Sequence, residues 1–95
     1  GLPDLHLFPN LKRAELQGNN IEGQLSEDIG SCEKLEYLLL SSNKLKGPLP
    51  RALGKLVNLS ELDISKNKIS GTIPEECKDM RNLTVFNVKS NDDLA

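Results

Sequence analysis

The residues of this 95-residue chain that could carry chemistry are two cysteines, one histidine and two N-x-S/T sequons. Cys32 and Cys77 could form a disulfide or bind a metal, but no C-x-x-C motif occurs and His6 is the single histidine. Zinc sites need a closer grouping of such ligands. The sequence also lacks G-x-S-x-G, Walker and H-E-x-x-H motifs. We therefore expect no enzyme activity, no metal and no cofactor, and we expect His6 at the surface.

The two sequons, at Asn58-Leu59-Ser60 and Asn82-Leu83-Thr84, are 24 residues apart. We expect each asparagine to lie exposed just before a strand, with the following leucine buried, which makes Asn58 and Asn82 candidate glycosylation sites. The alternative interpretation is that the motif belongs to a structural repeat, because Asn-Leu also occurs at residues 10–11.

An internal repeat of 24 residues positions these groups. The pattern L-x-x-L-x-L-x-x-N, with other apolar residues at some leucine positions, starts at Leu11, Leu35, Leu59 and Leu83. The spacing of two between its central apolar residues is the period of a strand. One such coil cannot bury its apolar side alone, so the coils must stack and their strands must form a parallel sheet. The predicted units are the end of a preceding repeat or a lead-in (1–10), three repeats (11–34, 35–58 and 59–82) and a partial final repeat (83–95).

An asparagine follows each predicted strand, at Asn19, Asn43, Asn67 and Asn91. The chain turns there and leaves backbone groups facing inward, where an unpaired group costs about 1–3 kcal/mol. The asparagine amide carries both donors and an acceptor, so it can satisfy these groups. The sequence therefore predicts a structural ladder of asparagines.

The repeat register places both cysteines in the core, because Cys32 occupies the position of Leu56 and Cys77 that of Leu53. With coils about 4.8 Å apart, the cysteines should be about 9 Å or more from each other. The Cα atoms of a disulfide are rarely more than about 7 Å apart. We therefore predict two buried free thiols.

The second half of each repeat carries glycines at 23, 47 and 71, which indicate a positive φ or a close approach, and prolines at 50 and 74, which favour the start of a short helix or 3-10 turn. The full pattern, L-x-x-L-x-L-x-x-N-x-L-x-G-x-I-P, resembles the leucine-rich repeat in its plant-type, extracellular variant. The resemblance implies an α/β repeat fold: a right-handed solenoid with a concave parallel sheet, a short second strand around Gly-x-Ile-Pro, and helical or 3-10 turns on the convex side.

The resemblance also implies the function classes. The most similar members are ectodomains of receptor kinases and receptor-like proteins, located outside the cell or at its surface. They recognise a peptide or protein ligand, with a co-receptor as a further partner. The alternatives are a secreted inhibitor of cell-wall-degrading enzymes, and a scaffold or spacer without a ligand on these repeats. Paired cysteines, which usually cap plant arrays, are missing here, so we interpret the chain as part of a longer array. The other reading is a complete small protein.

The exposed positions of the predicted concave sheet are the candidate ligand contacts. One column reads Arg13, Tyr37, Glu61, Val85, and the next reads Glu15, Leu39, Asp63, Asn87. The repeat does not require an aromatic residue or a leucine at these positions, and exposed apolar residues rimmed by charge are typical of an interface. The competing explanation is ordinary strand propensity on a solvated sheet. The candidate ligand-binding residues are Tyr37, Leu39, Glu61, Asp63, Arg13 and Glu15.

Composition excludes two other classes of partner. Lysine and arginine number 12 and aspartate and glutamate 14, for a net charge of −2, which provides no overall basic footprint for nucleic acid. No apolar run approaches the roughly 20 residues that span a bilayer, so we expect no membrane insertion by this segment.

Overall fold

The computed structural model describes residues 2–91 and 93–94, which form a solenoid of stacked coils with two parallel sheets. Sheet A consists of β1 (Arg13–Glu15), β3 (Tyr37–Leu39), β5 (Glu61–Asp63) and β7 (Val85–Asn87). Sheet B consists of β2 (Glu22–Gly23), β4 (Lys44–Gly47), β6 (Lys68–Gly71) and β8 (Asp93–Leu94). Four 3-10 helices complete the coils: η1 (Leu5–Leu7), η2 (Glu27–Ser31), η3 (Arg51–Lys55) and η4 (Glu75–Asp79). The predicted solenoid with short turns opposite a parallel sheet is confirmed.

The core lies between the two sheets and the 3-10 helices, and the repeat leucines fill it. Leu38 and Leu40 are fully buried, while Leu39 between them is half-buried on the outer face of sheet A. This alternation follows from the strand period, which points successive side chains to opposite faces. The same positions in neighbouring coils hold Leu62 and Ile64, also fully buried, so the coils share one continuous core.

The turns into the 3-10 helices follow the predicted residue types. Pro50 and Pro74 directly precede η3 and η4, because the proline ring fixes φ and removes a donor that would lack a partner. In η2 the cap is Ser26, whose Oγ accepts a hydrogen bond from the Asp28 N–H at 3.1 Å. Gly54 of η3 lies so close to the backbone carbonyl of Glu76 in η4 that a Cβ atom would collide with it. Close stacking of the 3-10 helices therefore depends on this glycine.

The two cysteines are free, and their environments differ. Cys32 is fully buried, as the register predicts. The prediction that Cys77 is also buried is wrong, because it is only half-buried. Cys32 is covered by 3-10 helices on both sides, whereas beyond η4 the described residues contribute strands β7 and β8 and no further 3-10 helix. Burial raises the pKa of both thiols, and at Cys77 the nearby Glu76 carboxylate raises the pKa further.

Within residues 2–91 and 93–94, no helix is long and apolar enough to span a bilayer.

Candidate ligand-binding face

The outer face of sheet A brings the candidate contact residues together in two columns. The backbone register pairs Arg13 with Tyr37 and Tyr37 with Glu61, and it pairs the Glu15 and Leu39 positions in the same way. Asp63 continues the second column beside Leu39. Adjacent residues in a column are therefore about one strand spacing, 4.8 Å, apart. All six candidate residues lie on a single continuous surface.

The aromatic ring of Tyr37 is covered on one side by a neighbouring cation. The Arg13 guanidinium carbon lies 4.1 Å from the ring centroid, within cation–π distance. The Arg13 Nη1 atom also lies 3.5 Å from Glu15 Oε2. The Arg13 guanidinium thus contacts both the Tyr37 ring and the Glu15 carboxylate at the first-coil end of the two columns. The sequence predicted these residues as candidate ligand-binding residues, but it did not predict that they would interact with one another.

The two carboxylates of the third coil have different local roles. Asp63 Oδ1 accepts hydrogen bonds from the Ser65 N–H at 3.0 Å and from the Ser65 hydroxyl at 2.6 Å. The Glu61 carboxylate makes no hydrogen bond or ion pair with any described residue. The Glu61 carboxylate is therefore the one available to a ligand cation. Asp63 stabilises the turn after β5 through Oδ1, which leaves its Oδ2 atom for any further contact.

Three of the four ladder asparagines link their own coil to the preceding one. Asn67 is buried; its Oδ1 accepts from the Leu45 N–H at 3.0 Å and its Nδ2 donates to the Leu40 and Ile64 carbonyls at 2.9 and 3.1 Å. Asn43 and Asn91 make the same kinds of bond. Asn19 differs, since it is exposed and its side chain bonds only to carbonyls of its own coil. Among the described residues, no repeat strand lies before β1 for it to reach.

The two sequons form a second set of links between coils, which sequence reasoning missed. Asn58 and Asn82 are exposed, and their Nδ2 atoms donate to the backbone carbonyls of residues 33 and 57 in the preceding coil, at 3.0 and 2.9 Å. The hydroxyls of Ser60 and Thr84 also donate to carbonyls of the preceding coil, at 3.0 and 3.1 Å. One feature of the sequence could have predicted these links: a hydroxyl residue, Ser60 or Thr84, stands at the same repeat position in both coils. The structural reading of the sequons therefore has direct support.

The remaining polar candidates do not assemble into a reactive site. His6 is half-buried in η1, with Nδ1 4.0 Å from Asp28 Oδ2. In the described part of the chain, no three histidine, cysteine, aspartate or glutamate side chains are close enough to hold a metal ion.

Comparison with known proteins identifies both the repeat and its relatives. A family model described as leucine rich repeat matches residues 33–92, and a second model of the same description matches residues 10–32. No curated protein sequence matches significantly.

Three solved structures illustrate the structural relatives. The structure of a TDR receptor is 33% identical with a TM-score of 0.95, covering 99% of this chain and 16% of that one. The Arabidopsis receptor kinase HAESA, in complex with the peptide hormone IDA and the co-receptor SERK1, is 30% identical with a TM-score of 0.88, covering 94% of this chain and 15% of that one. A plant ice-binding protein is 32% identical with a TM-score of 0.87, covering 95% of this chain and 29% of that one. This chain thus spans less than a third of each.

Proposed function

Because this chain belongs to the leucine-rich repeat family, we propose that it is a recognition module of an extracellular receptor ectodomain, which binds a peptide or protein ligand through the outer face of sheet A and acts without catalysis. Structural relatives support the class, since one of them was solved with a peptide hormone and a co-receptor. The ice-binding relative has the same fold and another function, so the proposal depends on the surface residues of this chain.

The observation that carries the proposal is the patch formed by Tyr37, Leu39 and Glu61. Tyr37 and Leu39 are both half-buried on the outer face of sheet A, where the exposed Val85 is a further apolar residue, and the register pairs Tyr37 with Glu61. The Tyr37 ring supplies apolar area at a small entropic cost, because the Arg13 guanidinium already packs against one face of the ring. An apolar anchor beside a free carboxylate suits a ligand with a hydrophobic side chain next to lysine, arginine or a free amine.

A selection experiment tests this ligand chemistry without a known ligand. A random peptide library displayed on phage is selected on the immobilised full chain, with the Tyr37→Ala variant used for counter-selection. The proposal predicts a consensus of one aromatic or aliphatic residue flanked by lysine or arginine. Enrichment of peptides that the Tyr37→Ala chain binds equally well would contradict it.

We also propose that Asn58 and Asn82 carry glycans when the protein is made in a secretory host. Both side chains are exposed. A glycosylated Nδ2 keeps one hydrogen, so the bond to the preceding coil can persist after modification. Intact-mass measurement of the secreted chain should show glycan mass that disappears in the Asn58→Gln/Asn82→Gln double variant. An unmodified mass for the secreted chain would refute the proposal.

A further inference from the structure

The edge of the solenoid at sheet B carries a concentration of lysines that neither the core nor the sheet A face uses. We name it the lysine flank; it consists of Lys44, Lys46 and Lys68 of sheet B together with Lys66 and Lys89, which lie in the turns after β5 and β7. These are five of the 12 cationic residues of the chain, and all five are exposed. We propose that the lysine flank is a second interaction surface, which binds an extended acidic segment of a partner protein.

The backbone sets the spacing of the ammonium groups. Lys44 and Lys46 lie on either side of the buried Leu45 in β4, so both side chains leave the same face of sheet B. Their Cα atoms are about 6.6 Å apart along the strand. The register places Lys46 opposite Lys68 of β6, about 4.8 Å away across the sheet. Three lysines thus form a regular two-dimensional cluster.

Two further lysines extend this cluster along the turns. Lys66 precedes β6 in the turn after β5, and its N–H donates to the Lys89 carbonyl of the next coil at 2.9 Å. Both side chains are exposed. One acidic residue, Glu22 of β2, pairs in register with Lys44.

The lysines of the flank form no ion pair within residues 2–91 and 93–94, although Glu22 lies one strand from Lys44. Five like charges at these spacings repel one another, so an incoming anionic segment relieves repulsion and gains attraction. The net charge of the chain, −2, conceals this local excess.

The spacing favours an extended acidic peptide as the partner. In an extended peptide, the side chains of alternate residues leave one face about 6.6–6.8 Å apart, which is the spacing of Lys44 and Lys46. A segment with acidic residues at alternate positions can therefore place carboxylates over Lys44 and Lys46, and Lys68 lies beside Lys46 on the neighbouring strand. The flank presents no exposed aromatic or large aliphatic side chain, so we expect binding to be rapid and strongly dependent on salt.

The test uses the full chain and a synthetic fluorescent peptide of alternating glutamate and serine. Binding is measured by anisotropy at about 20 mM and about 150 mM salt, where screening differs strongly. The flank variant is Lys44→Gln/Lys46→Gln/Lys68→Gln. The matched control, Lys12→Gln/Lys34→Gln/Lys55→Gln, removes three exposed lysines elsewhere and changes the net charge equally. Unfolding midpoints verify that both variants remain folded.

The proposal predicts that the flank variant binds the peptide about tenfold more weakly, while the control changes by about twofold or less. Equal losses in both variants would reduce the effect to net charge and overturn the proposal. So would unimpaired binding to the flank variant, absence of binding at low salt, or binding of polygalacturonate in place of the peptide. The flank variant leaves Tyr37 and Glu61 intact, so failure here is distinguishable from failure of ligand binding on sheet A.

Discussion

The outer face of sheet A and the lysine flank belong to the same coils but present opposite chemistry. On sheet A three of the four charged candidates have side-chain partners: Arg13 stacks on Tyr37 and contacts Glu15, and Asp63 accepts hydrogen bonds from Ser65. On the flank no lysine has an ionic partner among the described residues. The first surface is pre-organised around an apolar anchor, whereas the second offers only charge. The two proposals therefore make different predictions: specific recognition on sheet A, and salt-dependent electrostatic attraction at the flank.

The largest expected effect concerns the scaffold that both surfaces share. Replacing Asn67 with Ala should lower the free energy of unfolding by about 1–3 kcal/mol, because it leaves buried backbone groups of two coils unpaired. Urea denaturation measures the change. The matched control is Asn19→Ala, at an exposed asparagine whose side chain bonds only within its own coil; its backbone bond to Asn43 is kept, so stability should change by no more than about 0.5 kcal/mol. Equal effects at both positions would contradict the ladder account.

A smaller effect should separate the two carboxylates of sheet A. Asp63→Ala should lower stability by about 1 kcal/mol, because the turn loses two hydrogen bonds to Ser65. Glu61→Gln should leave the unfolding midpoint unchanged and weaken binding of a selected cationic peptide by about threefold, mainly through the association rate. Thermal unfolding and stopped-flow binding distinguish these outcomes. If Glu61→Gln destabilised the chain and Asp63→Ala did not, the assigned roles would be reversed.

The sequence predicts the parts of this molecule that repeat. The repeat leucine positions of the second and third coils hold buried side chains, and the period of 24 fixes which residues share a column of sheet A. In sheet B the register differs from the repeat period, since Lys46 pairs with Lys68, 22 residues on. Contacts that depend on side-chain conformation were not predictable in this way. The stacking of Arg13 on Tyr37 and the bond between Ser65 and Asp63 depend on rotamers that the pattern leaves free. The exposure of Cys77 and Asn19 depends on which coils cover them, which the repeat pattern alone does not specify.

The smallest expected effect is a difference in thiol labelling, which reports on the scaffold away from both surfaces. Under native conditions Cys77, which is half-buried, should react with a maleimide faster than the fully buried Cys32. Burial raises both pKa values, so the thiols stay protonated in the folded state above the pH at which they ionise in the unfolded chain. The unfolded state then binds fewer protons, and stability should fall as pH rises through the ordinary thiol pKa. Mass spectrometry of partly labelled protein orders the two rates; faster labelling of Cys32 would contradict the assigned burial.

The comparison of the two surfaces rests on the claim that sheet A is the ligand-binding face, and one pair of affinities tests it. A peptide obtained by selection on the full chain is titrated into the Tyr37→Ala variant. The control is the Glu76→Ala variant, in which an exposed residue of η4 is replaced. The account predicts that Tyr37→Ala weakens binding by about thirtyfold, the cost of truncating an aromatic anchor, and that Glu76→Ala changes it by less than about twofold. Unchanged affinity in Tyr37→Ala, with a loss in Glu76→Ala, would contradict recognition through sheet A.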